Sequence, residues 1–469
     1  MDYATARANA VRTVYAGRIA AFSENYRVGR PTVVVLPGGM GSQLDRSRAP
    51  FDGSAPEFSP APTVWMDPGI FFDGDGLKLE IDAQDRDIGD YVIIPDGPLR
   101  YLFVAYDGTE AWALGSDFNY VVFGFDWRRP IEEAAGFLED FLALLRDTIR
   151  RVHSENPLPT TTLLAHSQGG LAAKVFLHRI SDMAAWCARL ITVATPFYGT
   201  STHMQRYYVG QSPLDILHGS ERVARIIATL PGPYALLPID RPAFDADFAR
   251  LGFPSASDYP VTDPVTGAAV DPYDAGNLNR YPSWLNADHL ERARRIRRTI
   301  AAPLPAAMLE RTFNIRAVAN AGERTRLEWG QLPANFDPRV DDAPIEILQQ
   351  AGSDGTVPGW SAWLAQIADP ARPDLAAHRI QFEGPGYEHG DMLEHVDVLN
   401  RIGPMIDPGY APVTAPAGSR LYGPQTTERA SSAQVRDFAS DVTEGRAGRT
   451  DPRAHSERMW RGLAREFKR

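Results

Sequence analysis

The first residue in this chain whose surroundings suggest chemistry is a serine at a sharp bend. Residues 161–170 read TTLLAHSQGG: a strand-like run ends in His-Ser-Gln-Gly-Gly, and a helical pattern starts at once. The segment Ala165-His166-Ser167-Gln168-Gly169 has the small-x-Ser-x-small spacing of a nucleophile elbow, with alanine in place of the first glycine. Such a turn holds the serine in a strained conformation and packs its neighbours two positions away close together, so only small residues fit at 165 and 169. It also puts Ser167 at a helix N-terminus, where N–H groups and the helix dipole favour negative charge.

A serine hydroxyl needs a base, and the base needs an orienting carboxylate. Asp354, in GSDGTVP (352–358), follows the strand-like IEILQQ and begins an Asp-Gly turn. His389, in GPGYEHGDML (384–393), follows the strand-like RIQFEGP and precedes a helical pattern. This is the order serine, acid, histidine that the elbow implies. His395 competes with His389 but falls inside the predicted helix, where it is expected to face solvent. His166 is excluded as the base, because a residue adjacent to the nucleophile cannot reach its hydroxyl with useful geometry. An oxyanion needs donors as well. The expected pair is the amide of Gln168 and that of Gly39, in PGGMGSQL (37–44), with Met40 as the neighbouring option. Trp65, Met66, Phe71 and Phe72, with Ile70, form an apolar cluster that suits either an acyl pocket or plain core.

These residues have to be positioned by a sheet. TVVVL (32–36), YVVFGFDW (120–127), TTLLAHS (161–167), RLITVATP (189–196), RTFNIRAVAN (311–320), IEILQQ (345–350) and RIQFEGP (379–385) read as strands, and YVIIP (91–95) and YLFVAYD (101–107) as further candidates. Helical patterns occupy 4–24, 131–152, 169–183 and 391–406, with pieces near 213–230 and 284–300. Continuous apolar strands alternating with amphipathic helices imply a mostly parallel sheet covered on both faces. The rhythm breaks between 197 and 310, where Pro, Gly and Tyr are frequent, which suggests an inserted cap or lid. The expected organisation is an N-terminal helical segment (1–30), an α/β core (31–196 and 311–408), the cap (197–310), and a linker with a C-terminal helix (409–469).

Composition narrows the function classes. The chain has 469 residues, 44% of them hydrophobic, and a net charge of −11, which argues against a nucleic-acid partner. One cysteine excludes an intrachain disulfide and a cysteine-based zinc site, and the chemistry calls for neither metal nor cofactor. The N-terminal residues lack the continuous apolar core of a secretory signal, and no window approaches a membrane span, so a cytoplasmic location is the default expectation. Nothing in the sequence signals an oligomeric state.

PGGMGSQL, FDWRRP (125–130), AHSQGG (165–170), TPFYGT (195–200), DGTVP (354–358) and HGDM (389–392) occur in an order that resembles the lecithin:cholesterol acyltransferase-like α/β hydrolases. Lysosomal phospholipase A2 and the phospholipid:diacylglycerol acyltransferases are relatives of that kind. VWMDPG (64–69) and DGLKLE (75–80) also resemble early segments of the family, and the likeness spans roughly residues 31–406. The resemblance implies an α/β-hydrolase fold and a Ser167-Asp354-His389 triad. It also implies transfer of a fatty acyl group from a glycerolipid to the serine, then to an alcohol or water. Transient contact with a lipid surface would follow. Arg128, in the Asp-Trp-Arg segment, is expected to pair with a buried carboxylate and hold the sheet edge. Unlike the vertebrate members, residues 45–72 carry no cysteine for a lid-loop disulfide. Two other readings use the same residues: a soluble carboxylesterase or lactonase of small esters, and a non-catalytic binding protein. The second is disfavoured because all three triad residues are present in order.

Overall fold

The computed structural model describes residues 2–47, 63–65, 79–88, 92–98, 106–210, 220–251, 259–319, 324–337, 341–349, 352–384 and 386–414. The expected C-terminal helix, Met66, Ile70, Phe71, Phe72 and most of YLFVAYD lie outside them.

The centre is a six-stranded parallel sheet built from β1 (Thr32–Leu36), β5 (Asn119–Val122), β6 (Thr161–His166), β7 (Arg189–Val193), β9 (Thr312–Val318) and β12 (Arg379–Glu383). Its order is β12-β9-β7-β6-β1-β5. Leu36 pairs with Ala165 and His166 with Val193, so three strands end together around Ser167. β1 and β6 are buried at every position, as their uninterrupted apolar runs require of strands covered on both faces. The chain runs from β1 out to β5, then crosses back to the other side of β1 to form β6. That reversal leaves a crevice beyond the strand ends, the usual ligand position in a doubly wound sheet. The architecture is an α/β-hydrolase fold.

Helix α2 (Asp107–Gly115) leads into β5, and helices α1 (Tyr3–Glu24), α3 (Ile131–His153) and α4 (Gln168–Arg179) pack side by side. Tyr15 of α1 is 1% exposed, meets Phe123, Phe137 and Phe141, and donates to the Gly124 carbonyl at 2.9 Å. Below this seam sits a buried charge cluster. Arg128 binds Asp126 and, at 2.8 Å, Asp87; Arg129 also reaches Asp87, and Arg7 reaches Asp126 and Glu133. Burial alone would raise the Asp87 carboxyl, but Arg128 and Arg129 more than offset it and hold it well below the ordinary range. Arg128 therefore plays the structural part expected of it.

Several sequence expectations need correction. Strand β5 stops at Val122: the Phe123 amide still donates to the Val35 carbonyl of β1, but the Phe125 amide donates to Ser42 Oγ instead of continuing the ladder. YVIIP contributes to β4 (Val92–Pro98), which pairs antiparallel with β2 (Ser42–Ser47) in a small sheet with β3 (Thr63–Trp65), outside the parallel sheet. IEILQ forms β11 (Ile345–Gln349), which pairs antiparallel with β10 (Arg324–Trp329). β10 in turn pairs with β8 (Val261–Thr262), so this second small sheet ties the 197–310 segment to residues 324–349. The helix expected from 391 starts at Val396 as α9 (Val396–Ile406), after a 3-10 turn over His389–Glu394. Between β7 and β9 lie α5 (Thr202–Val209), α6 (Ser220–Thr229), α7 (Arg241–Leu251) and α8 (Ala287–Ala301). The Asn286 side chain caps α8 by accepting from the amides of Asp288 and His289.

Candidate active site

The bend at the end of β6 has the conformation its sequence demands. Ser167 sits at φ 51°, ψ −123°, in the left-handed half of the map that non-glycine residues avoid. Gly169 makes the bend possible, since a Cβ there would lie 2.5 Å from the carbonyl oxygens of both Leu36 and Pro37. The start of α4 is thus pressed directly onto the end of β1. The PGGM loop arrives at the same point, with the Cβ position of Gly38 3.5 Å from Ser167 Oγ.

Three distant segments meet at that hydroxyl. Ser167 Oγ is 2.9 Å from His389 Nε2, and His389 Nδ1 is 2.8 Å from Asp354 Oδ2. A carboxylate only accepts, so Nδ1 carries the hydrogen and Nε2 presents a lone pair to the serine hydroxyl. The other carboxylate oxygen of Asp354 accepts from the amides of Thr356, at 3.0 Å, and Val357, at 2.7 Å. The Asp354 carbonyl accepts from the His389 amide at 2.8 Å, which locks the two loops together. The Asp354 side chain is 1% exposed and that of His389 13%.

The strand that delivers Asp354 is β9, not IEILQ. The chain leaves β9 after Val318, and Ser353 returns to it by accepting the Ala319 amide at 2.9 Å. A Ser353–Pro358 bridge closes the Asp354 turn against that strand end. His395 is also not where its helical position suggested. The 3-10 turn delays α9, so His395 falls at its N-cap, 2% exposed, with its ring centroid 5.0 Å from that of Tyr387.

Two residues outside the expected triad complete the site. His166 Nε2 is 2.9 Å from the carbonyl oxygen of His389, which can only accept, so Nε2 carries the hydrogen. His166 Nδ1 then accepts from the Tyr106 hydroxyl at 3.1 Å, and Tyr106 Oη accepts the Gly38 amide at 2.7 Å. Burial raises the Tyr106 phenol well above its ordinary value and keeps it a donor. One chain of hydrogen bonds therefore links the PGGM loop to the backbone of His389. His166 is excluded as a base, as expected, and serves as a brace. Tyr106 carried no motif; only its position against the loop reveals it.

Gly38 has committed its amide to Tyr106, so the expected oxyanion donors remain the amides of Gly39 and Gln168, with that of Met40 as the neighbouring option. Gly39 packs against the Gln168 side chain, and that side chain is anchored to the Trp127 carbonyl at 3.3 Å. Met40 holds φ 62°, and its carbonyl accepts from Trp65 Nε1 at 2.9 Å. Trp65 is 1% exposed and stands edge-on to Trp127, so it braces the loop from the core side. Among the described residues no cluster of three or more His, Cys, Asp or Glu could hold a metal ion. Burial pushes the Cys187 thiol up to about 12, which keeps it protonated and unreactive.

Residues 108–292 match the lecithin:cholesterol acyltransferase family model. The matched segment carries Ser167 and its elbow, and the family resemblance of the motifs extends on both sides of it. It points to acyl-ester chemistry in general, hydrolysis or transfer. No curated protein matches the chain. Among solved structures, the Tle4–Tli4 complex aligns at 15% identity over 80% of this chain and 97% of that one, with a TM-score of 0.46. The Bacillus licheniformis lipase BlEst2 in mature form aligns at 11% identity over 78% of this chain and 88% of its own, with a TM-score of 0.32. Among the described residues no helix is long and apolar enough to cross a membrane.

Proposed function

We propose that the protein is a serine-nucleophile enzyme of lipid metabolism that moves a fatty acyl group from a glycerolipid ester, through an acyl-serine, to an alcohol or to water. The observation that carries this reading is the unbroken line of hydrogen bonds from Ser167 Oγ through His389 to Asp354, at 2.9 and 2.8 Å.

In this mechanism Ser167 Oγ attacks the ester carbonyl carbon and its proton passes to His389 Nε2. Asp354 keeps the imidazole in register and stabilises the imidazolium. The Gly39 and Gln168 amides receive the tetrahedral oxyanion, with Met40 as the neighbouring donor. The intermediate collapses, His389 returns the proton to the departing alkoxide, and an acyl-Ser167 ester remains. An acceptor hydroxyl, or water, then gives its proton to the same nitrogen and attacks the acyl carbon, restoring the serine. Residues 197–310 would serve as the cap over this centre and supply walls for the acyl chain and head group. Trp65, Met66, Phe71 and Phe72 are the proposed acyl-chain contacts, of which Trp65 alone falls within the described residues.

The test has two parts. A fluorophosphonate probe should label the wild-type protein and fail to label Ser167→Ala, and turnover should fall by about 10⁴-fold or more in that variant. Wild-type protein is then given isotopically labelled phospholipid with and without a long-chain alcohol, and the products are read by mass spectrometry. Release of fatty acid or formation of an alkyl ester supports the reading. Turnover of short soluble esters with none of phospholipid would favour the small-ester carboxylesterase instead. Absence of probe labelling in the wild type would sink both.

A further inference from the structure

We propose that Glu394 is a positioning residue for the base of the triad: its carboxylate caps the N-terminus of α2 from far along the chain and thereby fixes the turn that carries His389. This rests on the acyl-transfer reading above and adds the support by which its base is aimed.

α2 does not cap itself. The residue at its N-cap is Tyr106, whose side chain makes no capping bond and is committed to the Gly38 amide and to His166 instead. The Glu110 amide donates to the Tyr106 carbonyl at 2.9 Å and opens the helical ladder, so the amides before it need outside acceptors. Glu394 Oε1 supplies one, accepting from the Gly108 amide at 3.1 Å across 286 residues of chain. A carboxylate suits that place, because the helix dipole favours negative charge there and the bond is charge-assisted. Glycine at 108 admits it, since a Cβ there would lie 2.6 Å from Glu394 Oε2 and 3.0 Å from its Cδ. The next residue of the helix grips the same turn: Thr109 Oγ1 donates to the Leu393 carbonyl at 2.7 Å. Glu394 and Thr109 are both buried, which shields the two bonds from water.

The link to catalysis is where this turn begins. The 3-10 turn His389–Glu394 has His389 at its first position and Glu394 at its last. Its front end is held at the His389 carbonyl by His166 Nε2 at 2.9 Å, and His166 is held in turn by Tyr106. Its back end is held at Leu393 and Glu394 by the start of α2. Both holds therefore issue from one short stretch, Tyr106 to Thr109. The same closeness registers in the Tyr106 phenol: burial raises its pKa, the Gly38 amide opposes the rise, and the nearby Glu394 charge adds to it. A six-residue turn pinned at both ends to one helix end cannot swivel freely, and the imidazole it carries keeps Nε2 at 2.9 Å from Ser167 Oγ. Without the rear hold, the turn is free to pivot about the His389 carbonyl. Such a displacement acts on proton transfer and not on the acyl chain, so its cost falls on kcat rather than on KM.

The test uses the full chain as Glu394→Ala, Glu394→Gln and Gly108→Ala, with competent sites counted by exhaustive fluorophosphonate labelling so that rates refer to folded enzyme. On phospholipid in mixed micelles, Glu394→Ala should lose about 10- to 30-fold in kcat with KM little changed. The second-order rate of fluorophosphonate inactivation should fall by a like factor, since the probe needs the hydroxyl and its base but none of the lipid contacts. Glu394→Gln keeps an oxygen for the Gly108 amide and should recover most of the loss. Gly108→Ala pushes the carboxylate out while favouring the helix, so it should follow Glu394→Ala in kcat without following it in stability. A Glu394→Ala enzyme with a lower unfolding midpoint but wild-type kcat and inactivation rate per site overturns the proposal, because a merely structural contact gives that result. So does a Glu394→Gln enzyme no better than Glu394→Ala. If Glu394→Ala does not fold, Gly108→Ala decides, and a wild-type kcat in it is the refuting result. Wild-type protein that fails to label refutes the acyl-transfer reading and this role with it, whereas wild type that labels, beside variants that match it in rate, refutes this role alone.

Discussion

Lys174 offers a prediction whose size can be worked from the structure. It lies on α4 within two turns of the nucleophile and is 2% exposed. Among the described residues it forms no hydrogen bond or ion pair; its ammonium stands 5.7 Å from the centroid of the Phe197 ring. Burial pulls its pKa from the ordinary 10.5 down to about 7, with the Asp247 charge opposing the fall and the Arg297 charge adding to it. The unfolded chain keeps the proton up to its ordinary value, whereas the folded chain releases it near 7. Between those limits the unfolded state binds more protons, so stability rises with pH through this window, and below about 7 the full penalty applies. At about 1.4 kcal/mol per pH unit, that gap sets an upper bound of about 5 kcal/mol. Lys174→Met keeps the length of the side chain and removes the charge. Urea unfolding followed by tryptophan fluorescence should find the variant more stable by about 2–5 kcal/mol near pH 6. The advantage should shrink steadily as pH is raised towards 10. His178, one turn on, feels the same ammonium, so its pKa, held low first by burial and then by Lys174, should rise in the variant. An advantage independent of pH, or a variant less stable than wild type near pH 6, would refute the reasoning.

The remaining predictions concern the site. Gly169→Ala puts a methyl against two backbone carbonyls that no side-chain rotation can move. It should cost about 2–4 kcal/mol in unfolding free energy and abolish fluorophosphonate labelling. Tyr106→Phe removes the acceptor of the Gly38 amide and the donor to His166. It should lower stability by about 1–3 kcal/mol and reduce kcat by roughly tenfold with KM little changed, because it loosens the loop and the His389 backbone without touching substrate. A Tyr106→Phe enzyme with wild-type kcat would show that this chain of bonds does not position the histidine.

What the sequence determined by itself is the set of features that depend on near neighbours. The elbow at Ser167 is a local matter of small residues at 165 and 169 next to a buried strand and a helix, and it was legible without a structure. So were β1, β6 and β7, whose apolar runs announce burial, β9 and β12 as later strands of the same rhythm, and the candidates Asp354 and His389, whose chain order follows from the elbow. The tertiary structure alone decided which strand pairs with which. Val92–Ile94 and Ile345–Ile347 read like core strands, but they belong to small antiparallel sheets, because an apolar run encodes burial and not the identity of its partner. It also decided the supports of the site. Tyr106 meets His166 across 60 residues, and Trp65 meets Met40 across 25. His395 moved from a solvent-facing position to a buried cap when a 3-10 turn displaced its helix. Such contacts emerge only when the chain has folded, because a side chain's environment is set by what long-range packing brings within a few ångströms and by the water it drives out.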